Sequence, residues 1–128
     1  MRMAVDASAL LAILLAEADA DILLAKLLGA DKAWISPINW WEVQVRMRSL
    51  YGEAGEAKSD VWMQSMGLIV EPVTLAQAQT AAAAFSRYKG RPSRLNLGDA
   101  FAYALAQAKG VPLLFKGDDF RHTDVTVA

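Results

Sequence analysis

Met3-Ala4-Val5-Asp6-Ala7-Ser8-Ala9-Leu10-Leu11-Ala12-Ile13-Leu14-Leu15 changes its hydrophobic period at one residue. Before Asp6 stands a short continuous apolar run, as in a buried strand; after it Leu10, Leu11, Leu14 and Leu15 recur at helical spacing. A strand that hands directly to a helix, with a carboxylate at the junction, reads as the first half of a crossover unit. The same alternation continues outward. A helix is predicted over Asp19 to Leu28, ended by Gly29, and Ala33-Trp34-Ile35 makes a second strand. Ser36-Pro37 is a helix start, Ser as an N-cap and Pro at a position whose N–H would be orphaned anyway, and this helix runs to about Tyr51, where Gly52 interrupts it. Then come a helix from Lys58 to Met66, a strand at Leu68-Ile69-Val70, a Thr74-capped helix to about Tyr88, and an Asn96-capped helix over Asp99 to Lys109. A strand at Pro112-Leu113-Leu114-Phe115 and an edge strand at Val125-Thr126-Val127 complete the pattern. Short strands separated by helices predict an α/β fold, a parallel sheet covered by helices on both faces. Ligands in such folds collect where the carboxyl ends of strands meet the following helices.

Composition sets the bounds on chemistry. The 128 residues, 55% hydrophobic and 21% charged, suit one domain spanning 1–128 and argue against disorder. Thirteen Lys and Arg against fourteen Asp and Glu give a formal charge of -1, so a polyanion would have to be met locally. The absence of cysteine excludes thiol nucleophiles, disulfides and cysteine-held metals, and His122 alone cannot build a multi-histidine site. The apolar run from Ala7 to Leu15 is bounded by Asp6 and by Glu17, Asp19 and Asp21; it is too short to span a bilayer and lacks the form of a secretory leader, so a cytoplasmic protein is expected.

Carboxylate is the abundant reactive group, and its placement is telling. Asp6 follows the first strand, Asp99 opens the helix after a Gly- and Pro-containing loop, and Asp118 and Asp119 follow the Leu113-Leu114-Phe115 strand. Glu42 lies about two turns into the helix opened by Ser36. Each acid has a purely structural reading as well: N-capping for Asp6, the helix dipole for Asp99, an ion pair with Arg46 for Glu42, turn chemistry for Asp118 and Asp119. Several carboxylates in one pocket would instead hold protons or recruit a divalent cation, and oxygen-only ligation favours Mg²⁺ or Mn²⁺.

Four strings carry a family resemblance: Val5-Asp6-Ala7-Ser8-Ala9-Leu10; Glu42 within Ser36-Pro37-Ile38-Asn39-Trp40-Trp41-Glu42; Asn96-Leu97-Gly98-Asp99-Ala100; and Leu113-Leu114-Phe115-Lys116-Gly117-Asp118-Asp119-Phe120. In order and spacing, over nearly the whole chain, they resemble PIN domains, and most of all the VapC toxins of bacterial VapBC toxin–antitoxin pairs. The resemblance implies a three-layer α/β/α sandwich with a central, mostly parallel sheet. It also implies a Mg²⁺- or Mn²⁺-dependent endoribonuclease whose acidic site matches Asp6, Glu42, Asp99 and Asp119. Asp118 is the alternative for the fourth position, because this chain has Lys-Gly-Asp-Asp where family members often carry Thr-x-Asp. Ser8 matches a polar position that supports the site. The resemblance further implies an antitoxin partner, a homodimer, and a heterotetramer or larger assembly with the antitoxin.

Outside the acids, Arg87, Lys89, Arg91 and Arg94 form a basic stretch without an acidic residue just before the Asp99 helix, a candidate clamp for RNA phosphates. Lys116 and Arg121 flank the other acidic turn and would add to it. Trp40, Trp41, Val43 and Met47 make a broad apolar set for core or partner. A receiver-like regulatory module also uses strand-end aspartates and a late lysine, but it needs an acidic pair after the first strand and an Asp after the third, and the third strand here reads Ile69-Val70-Glu71-Pro72. A non-cutting PIN-like scaffold that binds RNA or protein is the other alternative.

Overall fold

The period change at Asp6 is a strand-to-helix junction: β1 (Arg2–Val5) ends there, and the Asp6 carboxylate accepts a hydrogen bond from the Ser8 N–H at 3.0 Å, capping α1 (Ala7–Leu14). The computed structural model describes residues 1–128. After α1 come α2 (Ala20–Leu28), β2 (Lys32–Ile35), α3 (Pro37–Ser65), β3 (Ile69–Val70), α4 (Leu75–Tyr88), α5 (Leu97–Lys109) and β4 (Leu113–Leu114). The remaining cap signals act as their chemistry dictates. Ser36 Oγ accepts from Ile38 N, Thr74 Oγ1 from Gln77 N, and Asn96 and Asp99 form a reciprocal capping box.

All strand pairings are parallel, in the order β3-β2-β1-β4. The pleat sorts side chains onto two faces. Met3 and Val5 of β1, Ala33 and Ile35 of β2 and Leu114 of β4 pack with α1, α2 and α3, while Ala4, Trp34 and Leu113 pack with α4 and α5. Two apolar cores on either side of one parallel sheet make the three-layer α/β/α sandwich that the alternating elements predict.

Three local readings are corrected. The gap expected between Gly52 and Lys58 closes, because α3 breaks only at Gly52, whose φ of 70° and ψ of -164° are non-helical, and helix resumes at once. The two halves fold against each other, tied by a buried bond from Ser59 Oγ to Gln44 Oε1 at 3.1 Å and by Arg48 bridging Glu53 and Glu56. The helix carrying Asp99 starts at Leu97, since the Asn96 cap fixes the first turn. The edge strand at Val125-Thr126-Val127 shrinks to one parallel bridge between Leu113 and Val127.

Strand order positions the site. From β1 the chain steps outward to β2 and β3, then returns through α4 and α5 to place β4 on the other side of β1. Beyond the carboxyl ends of β1 and β4 lies the switch point where open α/β sheets form their crevice. Asp6 leaves β1 there, and the Lys116–Asp119 turn leaves β4 there.

Candidate metal centre

The capping reading of Asp6 is correct and incomplete. Its Oδ2 holds the Ser8 N–H, while Oδ1 is buried without any hydrogen-bond partner and the whole residue is only 3% exposed. A buried acceptor left unpaired costs about 1–3 kcal/mol, more if charged, so it calls for a ligand or a proton. Asp99 likewise spends Oδ2 on the Asn96 N–H at 3.1 Å, which fixes the orientation of its carboxylate. Glu42 turns to Asn39 rather than to Arg46, accepting from Asn39 Nδ2 at 2.8 Å.

The acids sense one another. Burial pushes the Asp6, Glu42 and Asp99 carboxyls up, Asp99 to about 7; Asp6 adds to the shifts of both Glu42 and Asp99, and Asp119 to those of Asp6 and Asp99. What holds these values down is hydrogen bonding, from Ser8, Asn39 and Asn96, and no cation of the chain takes part. Asp118 is absent from these interactions. It is exposed and paired with Arg121 at 2.9 Å, whereas its neighbour Asp119 faces the other acids electrostatically. Ser8 Oγ accepts from the Lys116 N–H at 3.0 Å, tying the start of α1 to the turn that carries Asp119.

Two expected roles change. Lys116 is engaged by Glu17 and Asp19 and Arg121 by Asp118, so neither is a free cation for a polyanion. Val43 and Met47 are core, Trp40 is half-buried and Trp41 is exposed, so the apolar set divides between interior and surface. His122 is exposed and stands apart from the acids' interactions.

Two residues outside the expected set shape the centre. Asn39, fully buried, bridges Glu42 Oε1 and the Gly98 carbonyl, at 2.8 and 3.0 Å. A Cβ at Gly98 would fall 2.3–2.5 Å from the Glu42 carboxyl atoms, so the carboxylate fills the space a side chain would need. Gly98 was visible within the Leu-Asn-Leu-Gly-Asp string; Asn39 had only its position three residues before Glu42, one face of a helix, as a signal.

The donor set fits a hard divalent cation: all oxygen, mutually repelling, with one acceptor orphaned. No three acids form a ready-made cage, and none is required, because Mg²⁺ binds through one or two carboxylates and keeps several waters. The electrostatics give a stability test. A carboxyl whose pKa is raised by folding binds more protons folded than unfolded, so its contribution is full below the unfolded value near 4 and is lost as pH rises to about 7. The metal-free protein is therefore expected to melt at lower temperature at about pH 8 than at about pH 5, with millimolar Mg²⁺ or Mn²⁺ restoring more at the higher pH. Equal melting temperatures across that range would contradict the raised pKa values that burial and mutual repulsion give these acids.

Residues 3–125 match the PIN domain family. The chain is 41% identical to a ribonuclease VapC of Mycolicibacterium smegmatis over 125 residues, covering 96% of this chain and 97% of that one. Among solved structures it superposes on VapC20 of Mycobacterium tuberculosis, a Sarcin-Ricin loop cleaving toxin, with a TM-score of 0.82 at 18% identity and 98% of both chains covered. VapBC2 from Rickettsia felis, bound to a DNA fragment of its promoter, matches with a TM-score of 0.75 at 15% identity, covering 99% of this chain and 96% of that one. The receiver-like alternative lacks its third-strand acid in the structure as well, since β3 is an edge strand followed by Glu71, which is paired with Lys109. A parallel sheet with this strand order and near-full-length identity to named ribonucleases lead to one conclusion: the chain belongs to the PIN-domain family, among its VapC ribonucleases.

Proposed function

We propose that this single domain, residues 1–128, hydrolyses RNA phosphodiester bonds with Mg²⁺ or Mn²⁺ held by Asp6 and Asp99, with Glu42 and Asp119 completing the shell directly or through water. One observation carries the reading: a buried, unpartnered Asp6 oxygen among acids that raise one another's pKa, with no cation of the chain to compensate. When bound, the ion polarises phosphoryl oxygens and makes water a nucleophile at neutral pH. The chain's own part is positioning. Asp6 and Asp99 are fixed at helix starts by their caps, Asn39 holds Glu42, and Ser8 holds the Asp119 turn. In the net reaction a water oxygen bonds to phosphorus, the bond to the leaving sugar oxygen breaks, and that oxygen takes up a proton. Purified protein is expected to cut RNA with Mg²⁺ or Mn²⁺ and to stop in a chelator; cleavage that persists without metal would defeat the reading. Mapping cut sites in cellular RNA with and without Mg²⁺ then identifies the substrate.

The phosphates have a candidate clamp. Arg87, Lys89, Arg91 and Arg94 are all exposed, and none belongs to an ion pair, unlike Arg48, Lys109, Lys116 and Arg121. Arg91→Ala with Arg94→Ala is expected to weaken RNA binding and to flatten its salt dependence by about 1.4 in log–log slope, the value for two single-strand phosphate contacts, with metal affinity unchanged. Unchanged RNA affinity at low salt would remove the clamp.

VapC proteins are the toxins of VapBC pairs, and we place this chain in that role, with a cognate VapB-type antitoxin, a homodimer and a heterotetramer or larger complex. Support comes from exposed apolar groups that a lone domain leaves uncovered: Trp41 and Tyr51 on α3, and Phe85 and Leu97 beside an Ala-lined groove between α4 and α5. No helix is long and apolar enough to cross a membrane.

A further inference from the structure

We infer that Asn39 is a positioning residue whose amide straps the Glu42 carboxylate to the first turn of α5, so that Glu42 and Asp99 are presented to the ion as one unit. Its role rests on Glu42 being part of the metal centre proposed above.

The geometry is restrictive. Asn39 and Glu42 share a face of α3, three residues apart, and the Asn39 amide reaches from Glu42 Oε1 on its own helix to the Gly98 carbonyl on α5. Both partners only accept, so the amide has one usable orientation: the NH₂ group must point at them and Oδ1 away. Rotating it would set oxygen against a carboxylate and a carbonyl. Both N–H groups are thereby committed to the acidic crevice. The remaining atom, Oδ1, is buried and unpartnered.

An asparagine with no exposed surface and an unpaired acceptor is a poor choice for packing alone. An apolar side chain of equal volume would avoid the desolvation of Oδ1 and lose only bonds to Glu42 and to a carbonyl in a helix. What the amide adds is direction. Gly98 leaves the space, since a side chain there would collide with the Glu42 carboxyl, and Asn39 supplies the pull that keeps the carboxylate in it. Groups one step removed from a metal that orient its ligands typically change metal affinity or activity by about 10–100-fold when lost.

The test is a double-mutant cycle of Asn39→Ala with Glu42→Gln, read by Mn²⁺ titration calorimetry and by RNA cleavage, with melting temperature as a fold control. Asn39→Leu, which keeps the branching of the original side chain at a larger volume and leaves no cavity, repeats the cycle in case the smaller variant fails to fold. In the wild-type background either Asn39 variant is expected to weaken Mn²⁺ binding by about tenfold and to slow cleavage by about 10–100-fold. In the Glu42→Gln background the further loss is expected to be no more than about twofold, because the group that Asn39 positions is already gone. Losses that multiply, or a folded Asn39→Leu protein with unchanged Mn²⁺ affinity, overturn the inference and leave Asn39 a packing residue. If Glu42→Gln alone changes neither Mn²⁺ binding nor cleavage, it is the metal-centre reading that falls, and the inference falls with it.

Discussion

Asp99→Asn is expected to abolish metal-dependent RNA cleavage, and with it growth inhibition on expression, while the chain stays folded. The two effects separate because the carboxylate serves two purposes with different requirements. The capping box needs only an acceptor at N3 for the Asn96 N–H, and the amide oxygen of an asparagine there can supply it. Holding a divalent cation needs the charge. A metal's electrostatic contribution of several kcal/mol, at about 1.4 kcal/mol per tenfold in rate, sets the expected loss at about 10³-fold or more. Asp6→Asn should behave in the same way, its amide oxygen still accepting from the Ser8 N–H. Stability should move the opposite way from activity. With the Asp99 pKa raised to about 7, the ionised form is unfavourable in the metal-free fold, so the Asn variant is expected to melt no lower than wild type at about pH 8 without metal. Cleavage kinetics and thermal unfolding on the same preparations check both halves. Retained cleavage by purified Asp6→Asn protein would sink the mechanism.

Gly98→Ala is the second large effect, and it comes from one methyl group. The added Cβ would stand 2.3 Å from Glu42 Oε1 and 2.4 Å from Oε2, well inside contact distance. Something must move, and the group met is the end of a flexible side chain rather than backbone. The fold therefore has an easy escape and the site does not: Glu42 is expelled from its place beside Asp99. Activity is expected to fall by about 10–100-fold, the range seen when a ligand's support is removed. The melting temperature should hold, since Gly98 lies in the first turn of α5, where exchanging glycine for alanine shifts helix stability by less than the ~1 kcal/mol of a helix interior. A fully active Gly98→Ala enzyme would show that Glu42's observed position is immaterial to cleavage.

Most of the architecture was legible because strand and helix differ in period, and the caps Ser36, Thr74 and Asn96 mark their boundaries chemically. The layer sorting follows from the pleat, so Met3 and Val5 on one face and Ala4 on the other needed no further information. What escaped was tertiary. The continuation of α3 directly past Gly52 depends on its two halves packing on each other through Gln44 and Ser59, which no local signal announces. The Val125–Val127 strand had the right residues but only one bridge to make at an edge. In the candidate site, the acids stood out by type and by position at strand ends. Asp118 and Asp119 differ only in three dimensions: Arg121 pairs with Asp118, while Asp119 adds to the raised pKa values of Asp6 and Asp99. Asn39 was hidden for a simpler reason: its function is a reach from one helix to another, and sequence spacing records only the first.

The strand order has a consequence for biosynthesis. Asp6 is made long before the strand beside it in the sheet, β4, and the turn bearing Asp119. A growing chain that already displays Asp6 and Glu42 has an open flank where β4 will dock, and Ser8 has no Lys116 N–H to receive. The crevice is thus completed only when β4 docks beside β1. Until β4 and the turn after it have been made, Asp6 and Glu42 stand without the Asp119 side of the crevice.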